Sequence, residues 1–454
     1  MSGARSSADA SKDLALPPLQ IERQPSGLTL LAIQKHGLPL FHARLSLPAG
    51  AAEDPKGKAG LANFTVDLLR RGTQHRSAAE VDELIEGMGA QLGAEVAMDE
   101  AALGLTVPAE LAAAALESML EVALEPSFPE EEVAMARRRM LSALQSDLDE
   151  PSTVAGRAVV TLGYGRAHPY GHPAAGFRRE VETFQREDVL AFHATRYQKA
   201  GAVLAVVGQD EPAKLLQLAR AALASRTWPS GARPPPLEFH TLPPPPGLRA
   251  VVIHKSDSTQ AQVRIVSPGL PKNTDRYAAA VVANTALGGG FTSVLVDAIR
   301  VDRGLSYSVS SRLLMGRRAG LSIFSSFTKN ETLRELIDVA LEKMRGFAAD
   351  GPAPETLEKS RRYLAGLFPL GLESHEALAE QIVDALLDGT GLDHLAKYRS
   401  RVLAVTREAA VAAARDLSPA RDGAQIIVVG DEQVARRSLE GLCSVEVRTL
   451  EEFG

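Results

Sequence analysis

Two hydrophobic periods run along this chain, and each predicts a kind of element. Alternating or short unbroken apolar runs read as strands. They predict adjacent strands over 28–35 and 39–47, and a hairpin of 93–98 and 101–107 turning near Asp99-Glu100. A buried strand follows over 202–208. Stretches rich in Ala, Leu, Glu and Arg with helical spacing predict helices over 60–69, 109–123, 130–149, 151–162 and 211–225, with another starting near Arg186. Ser77-Ala-Ala-Glu80 has the spacing of a capping box and opens a helix over 78–89. Between these elements, 163–176 reads as a loop.

The same order then recurs. Leu30-Leu-Ala-Ile-Gln-Lys35 answers to Ala250-Val-Val-Ile-His-Lys255, Arg186-Glu-Asp-Val-Leu-Ala-Phe192 to Arg407-Glu-Ala-Ala-Val-Ala-Ala413, and Ala205-Val-Val-Gly208 to Ile427-Val-Val-Gly430. The hairpin at 93–107 answers to strands at 307–327. Matches at a nearly constant spacing mark an internal repeat. The fold predicted is α+β: two homologous units of antiparallel strands and long helices, segregated into layers and arranged as a clamshell. Residues 1–18 read as a polar, flexible tail. The first unit is 19–228 and the second 248–454. The segment 229–247, with its proline runs at 234–236 and 243–246, reads as a semi-rigid spacer.

Composition narrows the class. The chain has 454 residues, 45% of them hydrophobic and 23% charged, with a net charge of −6. No broad basic surface for nucleic acid is implied. Arg137-Arg138-Arg139 and Arg436-Arg437 are short runs of the kind found on solvated helix faces. The single cysteine, Cys443, excludes an intramolecular disulfide framework and a cysteine-based metal site. No apolar h-region opens the chain and no apolar run reaches the length of a membrane span. The expected compartment is the cytoplasm, or the periplasm where a leader has been removed. Neither a Gly-x-Ser-x-Gly elbow nor a Walker-type loop is present. His168 and His172 are four apart, but Pro169, Gly171 and Pro173 exclude a helix, so the pair reads as a structural loop. His375-Glu376 reads as the polar first turn of a helix.

One stretch of the second unit combines a cation with a phenol. Gly288-Gly289-Gly290 reads as a loop, and Val294, Leu295, Ala298 and Ile299 as the apolar face of a helix that Gly304 stops. Arg300 lies in its last turn, and Tyr307 begins an alternating segment that reads as a strand. Two readings stand for the pair. Arg300 complements the helix dipole while Tyr307 packs, or the two together grip a peptide carbonyl.

Over 20–440 the layout resembles the pitrilysin/insulinase-type metallopeptidases, especially the bacterial and mitochondrial processing-peptidase branch. The resemblance rests on Gly60-Leu61-Ala62, Leu68-Leu69 and Gly72-Thr73, on Phe128-Pro-Glu-Glu-Glu132, on the loop 168–173 and on Val203-Leu-Ala-Val-Val-Gly208. Members carry His-x-x-Glu-His in the first of these frames: two histidines bind zinc, the glutamate activates its water, and a later glutamate completes the site. The corresponding positions here are Asn63, Val66, Asp67 and Ala143, so the resemblance implies a degenerate site and no metal in this chain. The family's arginine, followed seven residues later by a tyrosine, matches Arg300 and Tyr307, with Gly288, Gly289 and Gly290 before them as substrate-binding loop. The resemblance therefore implies a metal-free subunit of a heterodimeric zinc peptidase. It would bind an extended peptide as an added strand, and Arg300 and Tyr307 would stabilise the oxyanion. A partner subunit would carry the zinc and His-x-x-Glu-His, and a homodimer is the other assembly weighed. The alternative is a non-enzymatic peptide-binding or structural core subunit of the same fold.

Overall fold

In a computed structural model, residues 13–232, 234–235, 237–239 and 247–454 are described. Twelve strands form two six-stranded sheets. The first contains β1 (Leu19–Arg23), β2 (Thr29–Gln34), β3 (Leu40–Leu47), β4 (Gly93–Val96), β5 (Ala101–Pro108) and β6 (Val203–Gly208), in the order β1-β2-β6-β3-β5-β4. The second contains β7 (Arg249–His254), β8 (Gln260–Pro268), β9 (Val309–Met315), β10 (Gly320–Lys329), β11 (Gln425–Gly430) and β12 (Ser444–Arg448), in the order β12-β7-β11-β8-β10-β9. Five strands of each sheet correspond one to one, so the repeat read from the sequence is a repeat of topology. In both copies the second and third strands of the order are parallel, β2 with β6 and β7 with β11. The sixth strand differs. β1 comes from the N-terminal side and runs antiparallel to β2, while β12 comes from the C-terminal side and runs parallel to β7.

Each sheet is buried on both faces, and this explains why β2, β6 and β11 read as unbroken apolar runs rather than alternations. One face of the first sheet packs its own helices. Leu30, Leu45, Leu103 and Leu204 meet residues of Leu61–Leu69 and Ala112–Leu124 there. Its other face, carrying Leu31, Ile33, Val203, Ala205 and Val207, is covered by a helix from the second half, His375–Leu387, through Leu378, Ile382 and Val383. The second sheet repeats this. Val252, Ile265 and Phe324 face their own helices, whereas Val251, Ile253, Ile323, Ile427 and Val429 are covered by Pro151–Tyr164 from the first half, through Val154, Ala155 and Val159. The two halves thus exchange equivalent helices. Each buried Leu, Ile or Val across such a face contributes about 1.5–3 kcal/mol.

The chain ends repeat the exchange. Leu14 donates its N–H to the Ala396 carbonyl at 2.8 Å, and Leu14, Leu16, Leu19 and Ile21 pack with the helix His375–Leu387. At the other end, Phe453 is fully buried against Pro151–Tyr164, and Arg178 donates to the Gly454 carbonyl at 3.0 Å. The flexible tail expected over 1–18 is therefore corrected for 13–18, which are docked, while 1–12 lie outside the described residues. β1 and β12 escaped the sequence reading. Their burial is mixed, and neither shows a clean alternation. In the proline-rich spacer, Phe239 stacks edge-on to His168 and Tyr170 at 5.5 and 5.2 Å. Gly231 donates to the Ala194 carbonyl at 3.0 Å. The run 243–246 lies outside the described residues. One helical stretch, Tyr277–Val301, is long and apolar enough to cross a membrane, which corrects the reading that no run reaches that length. It contributes Leu287, Leu295 and Ile299 to the second core.

Candidate functional site

The helix Leu61–Leu69 is held at its start by groups distant in sequence. Gly60 adopts a φ of 97°, and the buried Asp54 carboxylate accepts from the N–H groups of Gly60 and Ala62, both at 2.7 Å. This remote carboxylate satisfies donors that a helix start otherwise leaves open. Burial pushes the Asp54 carboxyl well above its ordinary range, against the pull of those two bonds. The loop 163–176 closes over the same point. A Cβ on Gly176 would stand 1.9 Å from the Ala59 carbonyl oxygen, so only glycine allows this approach.

So fixed, the helix directs Asn63, Val66 and Asp67 into a cavity of about 500 Å³, and Arg139 and Ala143 of the helix Glu130–Asp149 line it from the other side. All four positions that the resemblance singled out converge there. The donors do not make a zinc site. They are an amide, an isopropyl group, one carboxylate and a methyl group, where zinc takes imidazole, thiolate or carboxylate. The one carboxylate is already engaged, because Arg139 Nη2 lies 3.2 Å from Asp67 Oδ2. Ala94 of β4 also lines the cavity. Among the described residues β4 is the last strand of its sheet and pairs with β5 alone, so its outer edge presents unpaired backbone groups.

The second half places the glycines, Arg300 and Tyr307 elsewhere. Gly288 and Gly289 belong to a helical continuation, Thr285–Gly289, rather than to a loop. Gly288 is buried, and a Cβ there would come within 2.7 Å of the Ser311 backbone nitrogen. Its glycine is explained by close packing on β9, which corrects its expected place in a substrate-binding loop. Gly290 has extended backbone and ends that turn. Gly304 has a φ of 62° and, as expected, follows the helix end. The strand starts at Val309, two residues later than expected, so Tyr307 sits in the bend before β9. Tyr307 is 86% exposed, which removes the packing reading for its ring. Arg300 is also exposed, and neither residue lines the cavity at Asn63 and Asp67.

Family profiles match both halves. "Insulinase (Peptidase family M16)" matches residues 31–171 and "Peptidase M16 inactive domain" matches 183–364. The chain belongs to the M16 peptidase family. Among M16 relatives, a protein from Mycobacterium leprae described as an uncharacterized zinc protease is 26% identical over 409 residues, covering 89% of this chain and 90% of that protein. A protein from Helicobacter pylori described as a non-peptidase homolog is 24% identical over 345 residues, covering 75% and 78%. The M16 inactive domain from Pseudomonas fluorescens superposes with a TM-score of 0.82 at 24% identity, covering 91% of this chain and 98% of that one. A protease from Helicobacter pylori superposes with a TM-score of 0.81 at 19% identity, covering 91% and 100%.

Sequence reading of this M16 chain missed two arginines of the cavity and a polar contact between the halves. Arg139 was grouped with a solvated run, yet it stands one helical turn before Ala143 and so on the same face. Arg71 lines the cavity and its buried Nε has no hydrogen-bond partner among the described residues. Between the halves, a second cavity of about 310 Å³ lies where the β9–β10 turn meets the β4–β5 turn. There Arg317 bonds Glu100 at 2.6 Å and Asp388 at 2.9 Å, and its N–H donates to Asp99 Oδ2 at 3.0 Å. Burial raises the Glu100 carboxyl, against the pull of Arg317 and Arg44. Burial opposes the Lys272 ammonium, but Asp384 and Asp388 outweigh it and hold its pKa above the ordinary value. His168 and His172 belong to the loop, as expected. Nδ1 of His168 accepts from the Tyr170 N–H at 2.9 Å. His375 opens a helix capped by Ser374, also as expected.

Proposed function

We propose that this chain is the zinc-free subunit of a two-chain M16 peptidase, in which it binds extended peptide and presents it to a zinc-bearing partner. The observation that carries the reading is the cavity at Asn63, Asp67 and Arg139. It stays open and lies beside the unpaired edge of β4, while its donors no longer suit a metal. An extended segment adding to that edge would satisfy unpaired N–H and C=O groups, and side chains on one face of it would enter the cavity. Arg300 and Tyr307 are exposed, and neither side chain makes a hydrogen bond or ion pair with another described residue. A guanidinium and a phenol so presented can donate hydrogen bonds to a peptide carbonyl held between two chains. Hydrolysis itself belongs to the partner.

The test is co-expression with an M16 chain that carries His-x-x-Glu-His, followed by a peptide-cleavage assay on each chain alone and on the pair. Cleavage by the pair and by neither chain alone supports the reading. Stoichiometric zinc and cleavage by this chain alone would overturn it.

A second reading is a peptide-binding or assembly subunit with no part in catalysis. The description of the Helicobacter pylori relative as a non-peptidase homolog favours it, and so does the separation of Arg300 and Tyr307 from the cavity. Peptide binding without cleavage, in the presence of every zinc-bearing M16 partner from the same source, would decide for it.

A further inference from the structure

Charge bookkeeping around the degenerate site leaves one cation over. Three arginines and two aspartates line the cavity. Asp67 is paired with Arg139 at 3.2 Å, Arg70 with Asp82 at 2.7 Å, and Asp147 with Arg157 at 3.6 Å. Arg71 has no counter-ion among the described residues. Its Nε is closed off from solvent and without a hydrogen-bond acceptor. Asn63, on the same lining, contributes an amide that makes no hydrogen bond with another described residue.

A half-buried guanidinium that lines a cavity with no counter-ion among the described residues, and with one N–H closed off from solvent, calls for an acceptor from within or from a ligand. The missing partner must be an acceptor, and a negative one compensates both the donor and the charge. Guanidinium pairs best with planar carboxylate, which can take two parallel N–H bonds. At about 500 Å³ the cavity accommodates a side chain or a chain end together with its neighbours. Leu92, Ala94, Met140 and Leu144 supply an apolar wall for the methylenes next to such a carboxylate.

We infer that the former metal site has become a carboxylate receptor, in which Arg71, assisted by Asn63, selects peptides bearing an acidic side chain or a free C-terminus at the cavity. This inference rests on the peptide-binding reading above and names the class of peptide. The Arg139–Asp67 pair takes no part in the selection, since each group already neutralises the other.

Three fluorescein-labelled nine-residue peptides test it on the full chain by anisotropy. The first is uncharged except for one central Glu and has an amidated C-terminus. The second replaces Glu with Gln, and the third is the Gln peptide with a free C-terminal carboxylate. Tighter binding of the first or the third over the second, by about ten- to a hundred-fold, is expected from one charge-assisted pair. The arm that gains identifies the source of the carboxylate. Arg71→Gln should abolish the gain. Equal affinity of all three peptides, or a preference that survives Arg71→Gln, overturns the inference while leaving peptide binding intact. If no peptide binds, the peptide-binding reading fails first. The receptor is then tested separately by titrating the wild-type chain with N-acetylglutamate amide and following the Arg71 Nε–Hε NMR resonance. A saturable shift of that resonance sustains the receptor, and an unmoved resonance overturns it without relying on a variant that must fold.

Discussion

Arg139 Nη2 stands 3.2 Å from Asp67 Oδ2, so a guanidinium occupies the face where M16 peptidases hold a cation. Asp67 lies four residues after Asn63, and Arg139 four before Ala143, one turn away on each helix. A guanidinium thus stands where the family resemblance implies a metal. A replaced charge has a consequence for engineering. Asn63→His, Asp67→His and Ala143→Glu together restore the ligand types, with two histidines one turn apart. With Arg139→Ala added, this variant is expected to bind about one zinc per chain, measured by metal analysis after dialysis. With Arg139 retained, the same triple variant should bind at least about tenfold more weakly, because metal and guanidinium compete for one pocket. Equal affinity would show that Arg139 does not hold the metal position.

Tyr307 presents its ring to solvent. Tyr307→Phe should therefore leave the unfolding free energy within about 0.5 kcal/mol of the parent. In the presence of a zinc-bearing partner, peptide turnover should fall by about 10²–10³, the usual loss for one donor to a developing oxyanion. Complex formation, followed by size-exclusion chromatography, should not change. Unaltered turnover would remove Tyr307 from the chemistry.

Arg317 joins the two halves through Glu100 and also pairs with Asp388 of its own half, and all three side chains are largely buried. Arg317→Met takes one of two cations from each of two buried carboxylates, leaving Glu100 with Arg44 and Asp388 with Lys272. A loss of about 1.5–3 kcal/mol is expected in denaturant unfolding, the usual contribution of a hydrogen bond to a charged group. Adding Glu100→Gln removes part of the stranded charge and should recover part of the loss. A single variant as stable as the parent would mean that the β9–β10 turn is not a structural contact.

Two buried histidines set a pH dependence. Burial, with Arg44 and His375 nearby, brings His42 down to about 4, and burial brings His193 down to about 4 against its bond to the Ala123 carbonyl. In the unfolded chain both titrate near 6.5. Between these values the unfolded state binds the protons and the folded state does not, so stability falls as pH drops. Full stability is expected above about pH 6.5, with a loss of roughly 3 kcal/mol per histidine by pH 4. Urea unfolding at pH 7 and pH 4.5 measures it. His42→Gln combined with His193→Gln should flatten the profile, and an unchanged slope would assign the loss to other groups.

Much of this molecule could be read from local pattern. The helix Glu130–Asp149 has the predicted bounds, and the capping box at Ser77 and Glu80 forms as read. Three short matches were enough to reveal the repeat, because β2, β6 and their copies need the same apolar run to be buried on both faces. Local pattern did not show what covers those faces. Leu378, Ile382 and Val383 have the spacing of an ordinary amphipathic stripe, and nothing in that spacing records that the sheet they cover lies in the other half. The site was legible as a loss, through Asn63, Val66, Asp67 and Ala143. Its replacement was not, because Arg71 and Arg139 become neighbours only when two helices and an edge strand close around one space. The glycine run at 288–290 misled for a related reason. Three glycines suggest a mobile loop, whereas Gly288 answers to the volume of Ser311 across a packed contact.

Two equivalent units that trade one helix have the connectivity of a domain-swapped dimer, here within a single polypeptide. Fusing the partners makes the trade unimolecular, so the interlock holds at any dilution and needs no second copy to form. It also fixes where motion can occur. Swinging one sheet away from the other would strip an apolar face from each, so the halves travel as one rigid jaw. In the two-chain peptidase proposed above, a chamber that opens to admit peptide would then do so at the joint between the chains.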